Sequence, residues 1–409
     1  MSEYQPEESR FIGQQVRQIR RRRGMTQQLL ADRAGMSRGA IAKYENGERP
    51  VDSRRTLLAL AGALGVTLGD LTGHEQDRID PVAAGFHTAV PEIEVALWTQ
   101  GNITHTAPAR TLDALASEAK RAAALRIACD YATLGPMLAP MLTDCYRHIR
   151  DGQPADRDRA WDVLSMVAHT TAAALKARGY GALSWTAAQE AENAARNIGG
   201  TAALAATAFA RSQVLLSRPG SLPAALTYAE GTAAEIAPEA CTVGEIEGLG
   251  MLHLQASLVT AAMGGDPEPH LTEAAETARR LDDAPAGTSI LRNPTFGPAN
   301  VQLWRMSAAM ERREPGQVLA LAPTLSPDAL PAEGRKAQYF VEIGRAHAMR
   351  RDYQQSLYAL LRAEHTAPQQ VRNMTHVREI VGHMMRMARR DLTTGPLGKL
   401  AERVGAVPA

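Results

Sequence analysis

The stretch Gly24-Met25-Thr26-Gln27-Gln28-Leu29-Leu30-Ala31-Asp32-Arg33-Ala34-Gly35-Met36-Ser37-Arg38-Gly39-Ala40-Ile41 decides the architecture of the N-terminal region. Gly24 follows the run Arg20-Arg21-Arg22-Arg23 and can close a preceding helix in the left-handed conformation that side chains avoid. Thr26 offers a hydroxyl to cap a helix starting at Gln27, and that helix turns Leu30, Ala31 and Ala34 inward before Gly35 stops it. Ser37 is the next cap, so the spacing predicts a further helix from Arg38 to about Tyr44 that buries Ile41. Two short helices joined by so tight a glycine turn have the geometry that fits a helix into the major groove of DNA.

Working outward, Ile12, Val16 and Ile19 form one apolar stripe and predict a helix before Gly24. After Ile41, Asn46-Gly47 reads as a turn, Pro50 bars immediate continuation, and Ser53 opens a fourth helix through Leu57, Leu60, Ala61 and Leu64. A short fifth helix around Thr67 to Leu71 closes the core. The region is also basic: Arg10 to Arg55 holds 12 Lys/Arg against 4 Asp/Glu, whereas the whole chain carries a net charge of +1. A small basic module on an acidic body suits a DNA reader with a separate sensing body, although a solvated basic face gives the same count.

Gly24-Met25-Thr26-Gln27, Leu30-Ala31, Gly35-Met36-Ser37, Ile41 and Glu45-Asn46-Gly47 resemble the phage-repressor (Cro/cI, or Xre) helix-turn-helix family. The resemblance covers residues 10–73 and implies sequence-specific binding of double-stranded DNA. It places Gln27 near a phosphate or the edge of a base contact, opens the recognition helix with Ser37, Arg38 and Gly39, and sets Lys43 a turn further along. It implies that Asn46 and the amides beside Gly47 hold phosphate, and that Arg20 pairs with Glu45 as a structural pair. Arg38 suits bidentate contact with guanine. Gly39 and Ala40 replace longer polar residues, so specificity leans on Arg38, Lys43 and DNA shape. Arg54 and Arg55, basic at a helix N-terminus, are read as phosphate contacts.

Residues 74–91, rich in Gly, Pro and Asp, read as a linker. The body, 92–400, is helix after helix with short breaks, and its best repeat unit runs from Lys336 to Pro368. Phe340, Ile343, Gly344, Tyr353, Ser356, Leu360, Ala363 and Pro368 fall on tetratricopeptide-like spacing, which the unit resembles. A weaker copy spans Ala206 to Pro238, and further pairs lie near 250–281 and 299–322, with divergent helices near 110–149 and 160–197. The expectation is therefore all-α: a five-helix head plus an α-solenoid body of four to six helix pairs. On that register Gln338 and Arg345 face a groove for a peptide or small-molecule effector, with Gln255, Asn300 and Trp304 as looser candidates. A generic helical bundle is the plainer alternative for the fold, and repeats that only dimerise the protein are the plainer alternative for their role.

No catalytic constellation emerges. Gly395-Pro396-Leu397-Gly398-Lys399-Leu400 lacks the length and the Ser/Thr of a phosphate loop, and the eleven histidines are scattered. Glu190 and Glu192 read as solvated, and Trp98, Trp161, Trp185 and Trp304 as packing residues. Cys129, Cys145 and Cys241 have no metal-site spacing, so no cofactor or metal is expected. No apolar run spans a membrane and residues 1–10 lack an apolar leader core, so a cytoplasmic protein is expected. Together these features predict a homodimeric regulator on an inverted-repeat operator. The rival reading is a scaffold whose solenoid binds another protein, with DNA contact secondary.

Overall fold

The computed structural model describes residues 11–72, 81–102, 108–287, 292–388 and 395–406. All regular structure among them is helical. The head comprises α1 (Ile12–Arg22), α2 (Gln27–Ala34), α3 (Arg38–Glu45), α4 (Arg54–Leu64) and α5 (Leu68–Thr72). Local chemistry sets these boundaries. Thr26, Ser37 and Ser53 each accept a backbone N–H three residues on, capping α2, α3 and α4. Gly35 ends α2 at φ 63°. Ile12, Val16, Leu30, Ile41, Leu60 and Leu64 are buried in one small core. Gly13 makes the tightest crossing there: a Cβ on it would lie 1.8 Å from the Tyr44 carbonyl oxygen, so α1 meets α3 backbone to side-chain-free backbone.

The body runs through α6 (Pro81–Thr99), α7 (Leu112–Ile127), α8 (Tyr131–Asp151), α9 (Pro154–Ala177), α10 (Gly181–Ile198), α11 (Thr201–Leu215) and α12 (Leu222–Ile236). It continues with α13 (Val243–Met263), α14 (Glu268–Arg279), α15 (Pro298–Glu311), α16 (Pro315–Leu321), α17 (Glu333–Met349), α18 (Tyr353–Thr366), α19 (Pro368–Val371), α20 (Thr375–Met387) and α21 (Pro396–Val404). The repeat unit read from 336–368 is the α17–α18 hairpin, and the weaker copy is α11–α12. A shared device clamps three hairpins, because a buried serine hydroxyl donates to a carbonyl on the facing helix. Ser184 reaches Ala172 O (2.7 Å), Ser212 reaches Ala225 O (2.8 Å) and Ser356 reaches Gly344 O (2.8 Å).

Three sequence expectations need correction. Residues 73–80 of the expected linker lie outside the described residues, but α6 begins at Pro81, inside the rest of it. Phe86, Ala89 and Val90 bury against the body, with Phe86 closely opposed to Gly135 of α8, and this packing overrides the loop-like composition. Trp98 is 67% exposed, on the side of α6 opposite the buried Ile93, Ala96 and Leu97. Glu190 and Glu192 are partnered: Glu190 accepts from Tyr146 (3.0 Å) and Gln100 (2.8 Å), and Glu192 pairs with Arg196 and Arg211.

The repeats curl until their ends meet. The thiol of Cys129, after α7, donates to Gln370 Oε1 (2.7 Å), and Gln369 Oε1 accepts from the Tyr131 (3.1 Å) and Ala132 (3.3 Å) amides. One apolar core accordingly joins residues between Phe86 and Ala210 to residues between Leu303 and Ala406.

Candidate nucleic-acid interface and the cavity behind it

Ile41, Tyr44 and Glu45 fix the inner face of α3, leaving Ser37, Arg38, Gly39, Lys43 and Asn46 exposed on the outer one. The inner side is held by charge. Arg20 Nε and Nη2 donate to Glu45 Oε1 (2.5 Å) and Oε2 (2.8 Å), Arg20 Nη1 donates to Met25 O (2.7 Å), and Gln27 Nε2 donates to Glu45 Oε2 (2.9 Å). Glu45 is almost fully buried. Gln27, half-buried, thus belongs to this network and stands at its edge toward the outer face.

Arg54 and Arg55 lie away from that face, against the body. The Arg54 amide donates to Glu311 Oε2 (3.2 Å) and its guanidinium lies 3.4 Å from Glu311 Oε1. The N-terminus of α4 attracts an anion through its unpaired amides, and a carboxylate of α15 already meets that demand. Arg55 approaches Gly264 at the end of α13. Gly47, beside the expected phosphate-holding amides, is buried, and its carbonyl faces His383 Nδ1 at 3.3 Å.

Further contacts lock the head to the body. Glu379 Oε1 accepts the Ile12 amide (2.9 Å), Arg313 donates to Asp52 Oδ1 (2.9 Å) and Arg345 donates to Asp52 O (3.0 Å). Burial pushes the Glu379 carboxyl up to about 7, against the Ile12 and Val51 amides and the charges of Arg386 and Arg378.

A helix-turn-helix domain family matches residues 12–74. The head is a helix-turn-helix domain of the Xre type. It is 39% identical over 69 residues to a propionyl-CoA carboxylase regulator of Cereibacter sphaeroides, covering 17% of this chain and 15% of that protein. It is 41% identical over 64 residues to the immunity repressor protein of Bacillus phage phi105, covering 16% of this chain and 44% of that one. The chain thus spans less than half the length of either curated relative. Among solved structures, Bacillus thuringiensis PlcR in complex with the peptide PapR7 and DNA aligns over 84% of this chain and 98% of that one. Its identity is 11% and its TM-score 0.31, a likeness too distant to carry an argument.

Between the helix-turn-helix domain and the inner helices of the body lies a cavity of about 510 Å³. Its wall includes Asp52, Arg54, Leu57 and Leu68 of the domain. Of the groove candidates, Trp304, Gln338 and Arg345 line it. Gln338 donates to Glu342 Oε1 (2.5 Å), and Arg345 Nη1 donates to Glu342 Oε2 (2.8 Å). Gln255 and Asn300 do not line it. Gln255 is buried, donating to Ser212 Oγ (2.9 Å) and accepting from Gln213 (2.5 Å), while the buried Asn300 amide faces Met251 Sδ (3.6 Å). Their register puts them one layer inside the wall, because the helices carrying them are covered on both sides.

Sequence reading missed the most distinctive lining residues. Arg126 of α7, Lys176 of α9 and Arg335 of α17 converge on the cavity. Burial pulls Lys176 down to about 7, assisted by Arg54 and Arg335, and pulls Arg335 down to about 10, assisted by Arg126. No local motif marks them, since each sits on a different helix and only the fold brings the three together.

Proposed function

We propose that the protein is a DNA-binding transcription regulator in which α3 enters the major groove and the body dimerises and senses a peptide or small-molecule effector. The observation that carries this reading is the outward face of α3 within a helix-turn-helix domain whose other side is anchored. Ser37, Arg38, Gly39 and Lys43 stand free to meet base edges, with Asn46 toward the phosphates and Gln27 at the rim. Arg54 holds the domain on the body through Glu311, and neither it nor Arg55, which approaches Gly264, is assigned to DNA. The domain occupies about residues 10–73, and the body begins with α6.

Domains of this geometry read palindromes as dimers, with half-sites about 10 base pairs or a multiple apart. The reading therefore takes the operator as an inverted repeat and the partner as a second copy of the chain. Its test is genome-wide recovery of DNA bound by the full chain, repeated with Arg38→Ala and Lys43→Ala together. A short palindromic motif that disappears in the double variant is the expected result. Recovery without a motif, or with one indifferent to the two substitutions, overturns it.

A further inference from the structure

The cavity carries a charge imbalance that its protein contacts leave open. Its lining carboxylates are Asp52, Glu311 and Glu342. Each is taken: Asp52 by Arg313, Glu311 by Arg54 and Glu342 by Arg345. Arg292, also on the wall, is held by Glu247. Among the described residues, Arg126, Lys176 and Arg335 make no ion pair. The Lys176 ammonium has a neutral acceptor, Gln213 Oε1 at 2.5 Å, and Arg335 lies over the Trp304 ring, 5.6 Å from its centroid. Arg126 Nε and Trp304 Nε1 are buried without a hydrogen-bond partner.

Three half-buried cations gathered on one cavity wall are unfavourable unless an anion joins them. Burial acts on all three in the direction of losing protons, repulsion adds to it at Lys176 and Arg335, and His169, beside Arg126, is driven down to about 3 chiefly by burial. The same wall also carries apolar side chains: Phe209, Val214, Leu258 and Leu303 from the body, Leu57 and Leu68 from the helix-turn-helix domain. A ligand that satisfies both parts has an anionic group at one end and an apolar remainder.

We propose that this cavity binds an amphipathic carboxylate, with the carboxylate among Arg126, Lys176 and Arg335 and the apolar part against Phe209, Leu258 and Leu57. The inference deepens the reading of the body as the sensing part and rests on it. Two sources share the chemistry: the C-terminus of a short apolar peptide, or a free organic acid. Trp304 Nε1 and Arg126 Nε supply donors that neither the protein core nor an apolar ligand uses. Because Leu57 and Arg54 belong to α4, an occupied cavity touches the DNA-reading domain directly.

The test is calorimetric titration of the full chain with four probes: decanoate, decanamide, tri-leucine and tri-leucine amide. At least one carboxylate is expected to bind once per chain, about tenfold or more tighter than its amide partner, since the carboxylate's negative charge distinguishes the two. Tighter binding of decanoate assigns a free acid, and tighter binding of tri-leucine assigns a peptide terminus. Lys176→Met with Arg335→Gln is expected to abolish the preference for the carboxylate, while Lys176→Arg retains it, which separates lost charge from lost folding. Carboxylate and amide binding alike, no carboxylate binding, or an unchanged preference in the double variant overturns the proposal. DNA binding is scored on the same preparations without probe. If it persists while the carboxylate preference is absent, the ligand assignment alone fails; if no preparation binds DNA, the regulator reading fails first.

Discussion

Arg20 and Arg38 lie 18 positions apart in one small domain and answer to opposite physics. Arg20 is buried, and its bonds to Glu45 hold its guanidinium above its usual range. Removing one partner of such a pair strands the other charge away from water. Glu45→Ala should therefore destabilise the helix-turn-helix domain by about 3–5 kcal/mol, whereas Arg20→Met with Glu45→Leu should cost less. Hydrogen exchange in residues 27–45 of the full chain measures both; equal protection in Glu45→Ala and the native chain would refute the structural role. Arg38 is exposed and has nothing to lose in the fold. Arg38→Ala should leave stability unchanged and weaken operator binding by about 1–3 kcal/mol, with relaxed preference at one base position. Lys43→Ala, a turn further along the same outer face, should likewise weaken operator binding and relax preference at a neighbouring base position.

At the scale of elements, the docking of the domain on α20 should be sensitive to pH. Glu379 has a folded-state pKa of about 7, raised by burial, against an ordinary value near 4.5. The folded state therefore binds its proton more tightly than the unfolded one. The stability this contributes is complete below about 4.5 and is lost as pH rises through about 7, on the order of 3 kcal/mol for a shift of this size. His383 on α20, facing the Gly47 carbonyl, acts in the other direction. Burial lowers its pKa, so its contribution is present above its ordinary value of 6.5 and lost as pH falls below it. His376, buried near Arg345 and Arg54, has the same sign. The two kinds of group partly cancel in the native chain. Glu379→Gln should leave only the histidines, so docking should become firmer as pH rises from 5 to 7. Hydrogen exchange of the Ile12 and Val51 amides at each pH tests this, and a variant whose amides show no such trend would refute it.

The helix-turn-helix domain was legible because its instructions are local: Thr26, Gly35 and Ser37 act on residues two to four positions away. The α17–α18 and α11–α12 hairpins were legible because Gly344, Ser356 and Ala225 must be small where helices cross. The docking surface was not, since Glu379 meets Ile12 across 367 positions and Arg313 meets Asp52 across 261. Arg54 shows how this misleads. Its basic charge at a helix start suggested phosphate until folding brought Glu311 to the same place. Gln255 and Asn300 failed for a related reason: amphipathic register gives a direction, but whether that direction is solvent, cavity or core depends on the curl of the whole repeat array.

At the scale of the whole molecule, the consequence of docking is a fixed direction for α3. A flexibly tethered reader would accept half-sites at many separations, because its linker absorbs the difference. Here Glu311 holds the start of α4, Arg313 holds Asp52, and Glu379 holds the start of α1, so three separated points determine the orientation of the domain. In a dimer formed through the bodies, two such domains would face DNA with one separation and one relative rotation. Each added base pair turns a half-site by about a tenth of the helical turn, so few spacings suit both domains together. The native chain should therefore select inverted repeats of a single spacing from a pool in which spacing is randomised. Glu311→Ala with Arg313→Ala removes two of these anchors without touching α3, leaving Glu379 on Ile12 and Arg345 on the Asp52 carbonyl. That variant should keep the half-site sequence, bind it through one domain about as well, and accept several spacings. If the variant selects the same single spacing as the native chain, docking does not set the geometry. If it loses the half-site sequence itself, the anchors support the fold of the domain, and its orientation on DNA must be set elsewhere.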